Sequence, residues 1–76
     1  MTLAELRVGQ KAVVDKLEGD SAIIQRLMEM GLLEGQIVEL LGVAPLGDPL
    51  EIRLGSYRLS LRKSEAARIL VTPLRD

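Results

Sequence analysis

No histidine, cysteine or tryptophan occurs in this 76-residue sequence, and Tyr57 is its sole aromatic side chain. Without thiols there is no disulfide framework, no thiolate metal site and no thiol nucleophile. Without imidazole the sequence lacks the most frequent general base and a favoured transition-metal ligand. Ser21, Ser56, Ser60 and Ser64 have no base of the right type to activate them, and the acidic residues are scattered singly. The reading is therefore of a protein that is not an enzyme, with no catalytic residue, no cofactor and no metal ligand assigned. Long apolar runs are absent too: no stretch of 18 apolar residues exists, so no direct membrane insertion is expected. "MTLAELRVGQ", with Glu5 and Arg7 inside it, does not read as a signal peptide. Small secreted domains commonly lean on disulfides, so a cysteine-free chain of this size is expected in the cytosol.

Charge of one sign is also missing. Ten basic and eleven acidic residues give a net charge of −1. A nucleic-acid binder draws its affinity largely from phosphate neutralisation, and one that holds single strands adds stacking aromatics. Neither supply exists here, so nucleic acid is not an expected partner. At this length a chain makes one domain, here residues 1–76, and buries only about 60% of the surface its unfolded form exposes.

What is present is a series of short elements with firm punctuation. Thr2 and Glu5 form a T-x-x-E capping box, predicting one short helical turn before Gly9. "KAVVDKL" (11–17) reads as a strand ended by "EGD". Asp20 is a good N-cap for "SAIIQRLMEM", in which Ile24, Leu27 and Met28 share one helical face, and Gly31 stands where a left-handed cap belongs. Met28 and Met30 invite a soft-metal reading, but residues i and i+2 point about 200° apart on a helix, so Met28 is read as core filler.

"QIVELLGV" (36–43) reads as a strand, bulged at Gly42, and "APLGDP" (44–49) as a tight loop fixed by Pro45 and Pro49. The letters GDP mark no phosphate cradle, because the P-loop pattern is absent. "LEIRL" and "YRLSLR" flank Gly55-Ser56, a type II′ hairpin signal. Pairing Leu54 with Tyr57 sets Ile52 against Leu59 and Leu50 against Leu61, all six on one side. Ser64 is expected to cap a short turn, and "RILVT" to close the fold. The fold class is mainly β: a small five-stranded SH3-like barrel with one inserted helix and short helical turns, closed to hide strand edges.

Two surface features remain. Arg53 and Arg58 fall opposite each other on the outward face of the hairpin, a mildly unfavourable pairing. Either Glu51 and Glu39 relieve it, or Arg53, Arg58 and Arg62 form a basic stripe for an acidic partner. Several aliphatics are also left over. If Val38 and Leu40 face inward, Ile37, Leu41 and Val43 face outward unless the bulge swaps their sense, with Leu33 and Leu46 in turns beside them. Such neighbours either lie under the helix or the N-terminal segment, or form an interface with a partner or a second copy. On the interface reading, Leu41→Glu or Leu46→Glu would spare the fold and weaken binding or self-association.

The ordered set R-L-x-x-M-G-L-x-x-G (Arg26 to Gly35), A-P-L-G-D-P, the hairpin with its central Gly55, and "LSLRKSEAARILV" resembles the FeoA family, ferrous iron transport protein A. A leading "L..LRVGQ" belongs to the same pattern, and the resemblance runs from about Leu3 to Val71. It implies an SH3-like barrel, reached independently above from the strand count. It also implies a small cytoplasmic accessory, in a bacterium or archaeon, that binds and regulates the membrane ferrous-iron transporter FeoB, through either its cytosolic G-protein domain or its membrane portion. Its alternative is a stand-alone domain related to the C-terminal domain of diphtheria-toxin-repressor-type regulators. "LLGVAP" is more apolar than a charged docking strand, which favours an aliphatic contact or self-association.

Overall fold

The computed structural model describes residues 1–75, and its elements follow the punctuation of the sequence. A 3₁₀ turn at Leu3–Glu5 opens the chain, with the Thr2 backbone N–H donating to Glu5 Oε1 at 2.7 Å. Strand β1 spans Lys11–Leu17 and helix α1 spans Ser21–Glu29. Asp20 Oδ1 accepts from the Ile23 N–H at 2.9 Å, satisfying one of the free donors of the first helical turn. Strands β2 (Ile37–Val43), β3 (Leu50–Leu54) and β4 (Tyr57–Leu61) follow, then helix α2 (Lys63–Ala66) and strand β5 (Ile69–Pro73).

All five strands lie in one antiparallel sheet, ordered β4-β3-β2-β1-β5. The hairpin register is as the parity of its side chains requires: Leu54 opposite Tyr57, Ile52 opposite Leu59 and Leu50 opposite Leu61. Gly55 takes a φ of +62° while Ser56 stays at negative φ, as a II′ turn needs. Leu50, Ile52, Leu54 and Leu61 are buried, Leu59 is half-buried, and Tyr57 is exposed at the rim.

The sheet curls around one core without full closure: among the described residues, β4 and β5 end the strand order and do not pair with each other, so the expected hiding of both edges by closure does not occur. Its lining alternates along the strands, with Ala12 and Val14 from β1, Val38 and Leu40 from β2, and Ile69 and Val71 from β5. Leu3 and Leu6 from the N-terminal turn, Leu27 and Leu32 from around α1, and Ala66 from α2 complete it. Thr2 bridges to Leu70, and the Val71 N–H donates to the Met1 carbonyl, so the N-terminal segment covers part of the outer edge of β5.

Two further expectations are corrected, and one left open is decided. The core face of α1 is Ile23, Leu27 and Met30, not Ile24, Leu27 and Met28. Met28 is 48% exposed and Ile24 only half-buried, so Met28 is no core filler. Ser64 does not cap α2. The helix begins at Lys63, whose N–H donates to Asp48 Oδ1 of the β2–β3 loop, while the Arg62 N–H donates to Glu65 Oε1. The bulge in β2 does swap the strand's sense: Leu40 pairs with Ile52 and Gly42 with Glu51, leaving Leu41 as the extra residue. Val43, the last residue of the strand, thereby comes into register with buried Leu50, yet it stays exposed.

Candidate functional site

The candidate surface residues do not gather into one patch. Ile37 is exposed on the convex face, in a shallow hollow shared with Lys11, Glu39 and Arg53. Val43 sits elsewhere, beside Ala44, Pro49, Glu51 and Ser60. Leu46, at the tip of the β2–β3 loop, is 97% exposed, whereas Leu41 is half-buried at the bulge. Strand alternation separates residues that are neighbours in sequence, and the bulge separates them further.

The three arginines divide in the same way. Arg53 and Arg58 do face each other across the hairpin. Each has an acid within reach: Arg53 Nε lies 3.8 Å from Glu39 Oε1, and Arg58 Nη1 lies 3.6 Å from Glu51 Oε1. The outward face is therefore a lattice of both signs. Arg62 stands apart at the start of α2, next to Asp48 and Pro49.

Leu33 is the exception, because it shares a hollow with other apolar side chains, two of which, Ile24 and Met28, the sequence reading assigns to the core. Gly31, at φ +97°, reverses the chain after α1. Leu32 then turns into the core while Leu33 stays 43% exposed. Leu33 joins Ile24 and Met28 of α1 and Leu17 at the end of β1 in an apolar groove of about 490 Å³. The groove continues over the outer face of α1 towards Gln25 and Glu29. Ile24 and Met28 are one helical turn apart, and with Ile23, Leu27 and Met30 filling the core, this pair is surplus to it. That surplus is a signal the sequence carries: five large apolar residues in a nine-residue helix and its cap exceed what one buried stripe needs.

A bulge between Val14 and Lys16 leaves both Asp15 and Lys16 exposed on the groove's rim, and Glu34 completes it. Asp15 Oδ2 accepts from the Thr72 hydroxyl at 2.6 Å. Elsewhere, Glu65, the one buried acid among the described residues, is satisfied by Arg26 Nε at 2.9 Å and by the Arg62 N–H. This ion pair ties α1 to α2, so Arg26, part of the motif quoted above, has a structural task. Among the described residues, no three Asp or Glu side chains group as metal ligands.

A curled five-stranded antiparallel sheet with a helix inserted after its first strand defines a small SH3-like β domain. The FeoA domain family matches residues 1–73, and the chain belongs to this family of ferrous iron transport. Over 71 residues it is 39% identical to a Fe(2+) transport protein A/Fe(2+) transporter FeoB fusion protein of Porphyromonas gingivalis, covering 93% of this chain and 8% of that one. The chain thus spans less than a tenth of that relative. The solution structure of a FeoA-like protein from Clostridium acetobutylicum matches with a TM-score of 0.93 at 39% identity, over 100% of this chain and 88% of that one. FeoA of Stenotrophomonas maltophilia, crystallised with zinc as a prokaryotic SH3 domain protein, matches at 0.77 and 39% identity, over 95% and 89%. A manganese-dependent transcriptional repressor shares the fold at 0.88 with 17% identity, over 97% of this chain and 41% of the repressor, a likeness of architecture alone.

Proposed function

We propose that this chain is an accessory of the ferrous iron transporter FeoB, acting on its cytoplasmic side by docking and regulating it without chemistry of its own. The observation that carries this reading is the fusion in Porphyromonas gingivalis, where a domain 39% identical to this one is part of one chain with FeoB. Covalent linkage raises the effective concentration of two modules to the millimolar range. A fusion of that kind serves a pair that works in contact. The SH3-like scaffold fits the task, since its surface carries mixed charge and its apolar groove is open to solvent.

The test is retention of the transporter. Immobilised chain is offered detergent-solubilised FeoB from the same organism, with and without guanine nucleotide. Specific retention that free chain competes away supports the reading. Failure in every nucleotide state at high protein concentration overturns it.

A further inference from the structure

We propose that the groove formed by Leu17, Ile24, Met28 and Leu33 is the docking site for an apolar segment of the transporter that carries basic residues beside its apolar anchors. The proposal rests on the reading of this chain as a FeoB accessory and names the surface that would perform it.

The opposite face of α1 already supplies the core through Ile23, Leu27 and Met30. Ile24 and Met28 are absent from that core, yet they line one hollow with Leu33 and Leu17 from two other segments. Three parts of the chain thus bring aliphatic side chains to one open place. Exposed apolar groups gathered in this way mark a contact surface more often than scattered ones do. The unbranched thioether of Met28 suits such a site, because it repacks around an incoming side chain at small cost.

Asp15 and Glu34 stand on the rim and Glu29 on the extension over α1, against the single cation Lys16. Among the described residues, the ion pairs are Arg26–Glu65, Arg53–Glu39 and Arg58–Glu51, so none of the three rim acids belongs to one. Their field is left to act on a partner, and it favours Lys or Arg. The same charges weigh against a second copy of this chain as occupant. A two-fold dimer through this face would set acid rim against acid rim. The groove is open along the helix rather than enclosed, which fits a polypeptide segment better than a small ligand.

The experiment is an amide chemical-shift map of the ¹⁵N-labelled chain titrated with the soluble cytosolic domain of FeoB, repeated with variants. Binding should shift the amides around Ile24, Met28 and Leu33. Met28→Glu should weaken it roughly tenfold or more, as loss of a central apolar anchor does, while Met28→Leu keeps it. Because Met28 is already half-exposed, its variants should keep the wild-type shift dispersion. Glu29→Lys with Glu34→Lys should weaken binding several-fold at low salt, with the difference shrinking as salt rises. Wild-type affinity in Met28→Glu, or shifts confined to the hairpin or the β2–β3 loop, overturns the groove while leaving the FeoB reading intact. Tighter binding by the double charge reversal overturns the basic character of the segment. A dimer of this chain that Met28→Glu dissolves, with FeoB binding unchanged, assigns the groove to a second copy and overturns the proposal. No binding of wild type to the domain or to the intact transporter removes the FeoB reading and this proposal together.

Discussion

Asp48 Oδ1 accepts a 2.9 Å hydrogen bond from the backbone N–H of Lys63, so the loop after β2 caps a helix that begins fifteen residues further on. The Arg62 side chain, at the capping position itself, makes no such bond. Asp48→Ala should cost about 0.5–2 kcal/mol, the range for loss of a cap, and Asp48→Asn should keep most of it. Urea denaturation of the two variants checks this; equal losses would show that charge, not the hydrogen bond, is what matters.

Gly31 offers a second local test. Its φ of +97° is a conformation that side chains with a Cβ rarely adopt, and a Cβ there would meet the Tyr57 hydroxyl and Leu54 Cδ2. Tyr57 donates from that hydroxyl to the Met30 carbonyl at 3.3 Å. Gly31→Ala should cost at least about 1–2 kcal/mol through the backbone alone. In a Tyr57→Phe background the cost should fall, since one of the clashing atoms is gone, and a thermal-melting double-mutant cycle measures the difference.

Cross-strand partners in the hairpin should differ in cost. Ile52 is fully buried and Leu59, directly opposite, is half-buried. Ile52→Ala should cost about 2–5 kcal/mol, and Leu59→Ala less, since part of its side chain remains in water. Equal destabilisation in urea would contradict the burial difference.

The β2–β3 loop and the β2 bulge make a contrasting pair. Leu46→Glu, at a 97% exposed tip, should leave the melting temperature unchanged. Leu41→Glu should lower it, because the half-buried bulge residue would carry a charge out of water, a change worth about 1–3 kcal/mol.

Acid stability should carry the mark of Glu5. The Thr2 backbone N–H, and after it the Thr2 hydroxyl, hold the Glu5 carboxyl below its usual range. A carboxyl lowered in the folded state stabilises above its unfolded value of about 4.3, and that contribution disappears as pH falls through the lower folded value. Urea midpoints of wild type and Glu5→Gln should therefore differ at neutral pH and converge below about pH 4. A gap that stays constant into acid would show that the carboxylate is not responsible.

Much of this fold is legible in the sequence because its signals are local. Hairpin parity fixes Leu50, Ile52 and Leu54 inward, Gly55 sets the turn, and Asp20 marks the start of α1. The misread features depend on distance or on competing patterns. Helix α1 carries two overlapping apolar faces, one through Ile23 and Met30 and one through Ile24 and Met28, and periodicity alone does not choose between them. The cap from Asp48 comes from another segment, so Ser64 was the nearer but wrong candidate. Site residues suffer most: exposure of Ile37 follows from alternation and that of Leu46 from its loop, but Val43 lies past the bulge, where alternation no longer predicts its side. Leu33 gains its meaning only from Leu17 and Met28, which the fold brings beside it.

The proposed role requires contact between this domain and the transporter. Fluorescently labelled chain titrated with intact FeoB in lipid nanodiscs measures that contact directly. The prediction is saturable binding with a micromolar or tighter constant, weakened by Met28→Glu. No change in anisotropy up to ~100 µM transporter, in any nucleotide state, would contradict it.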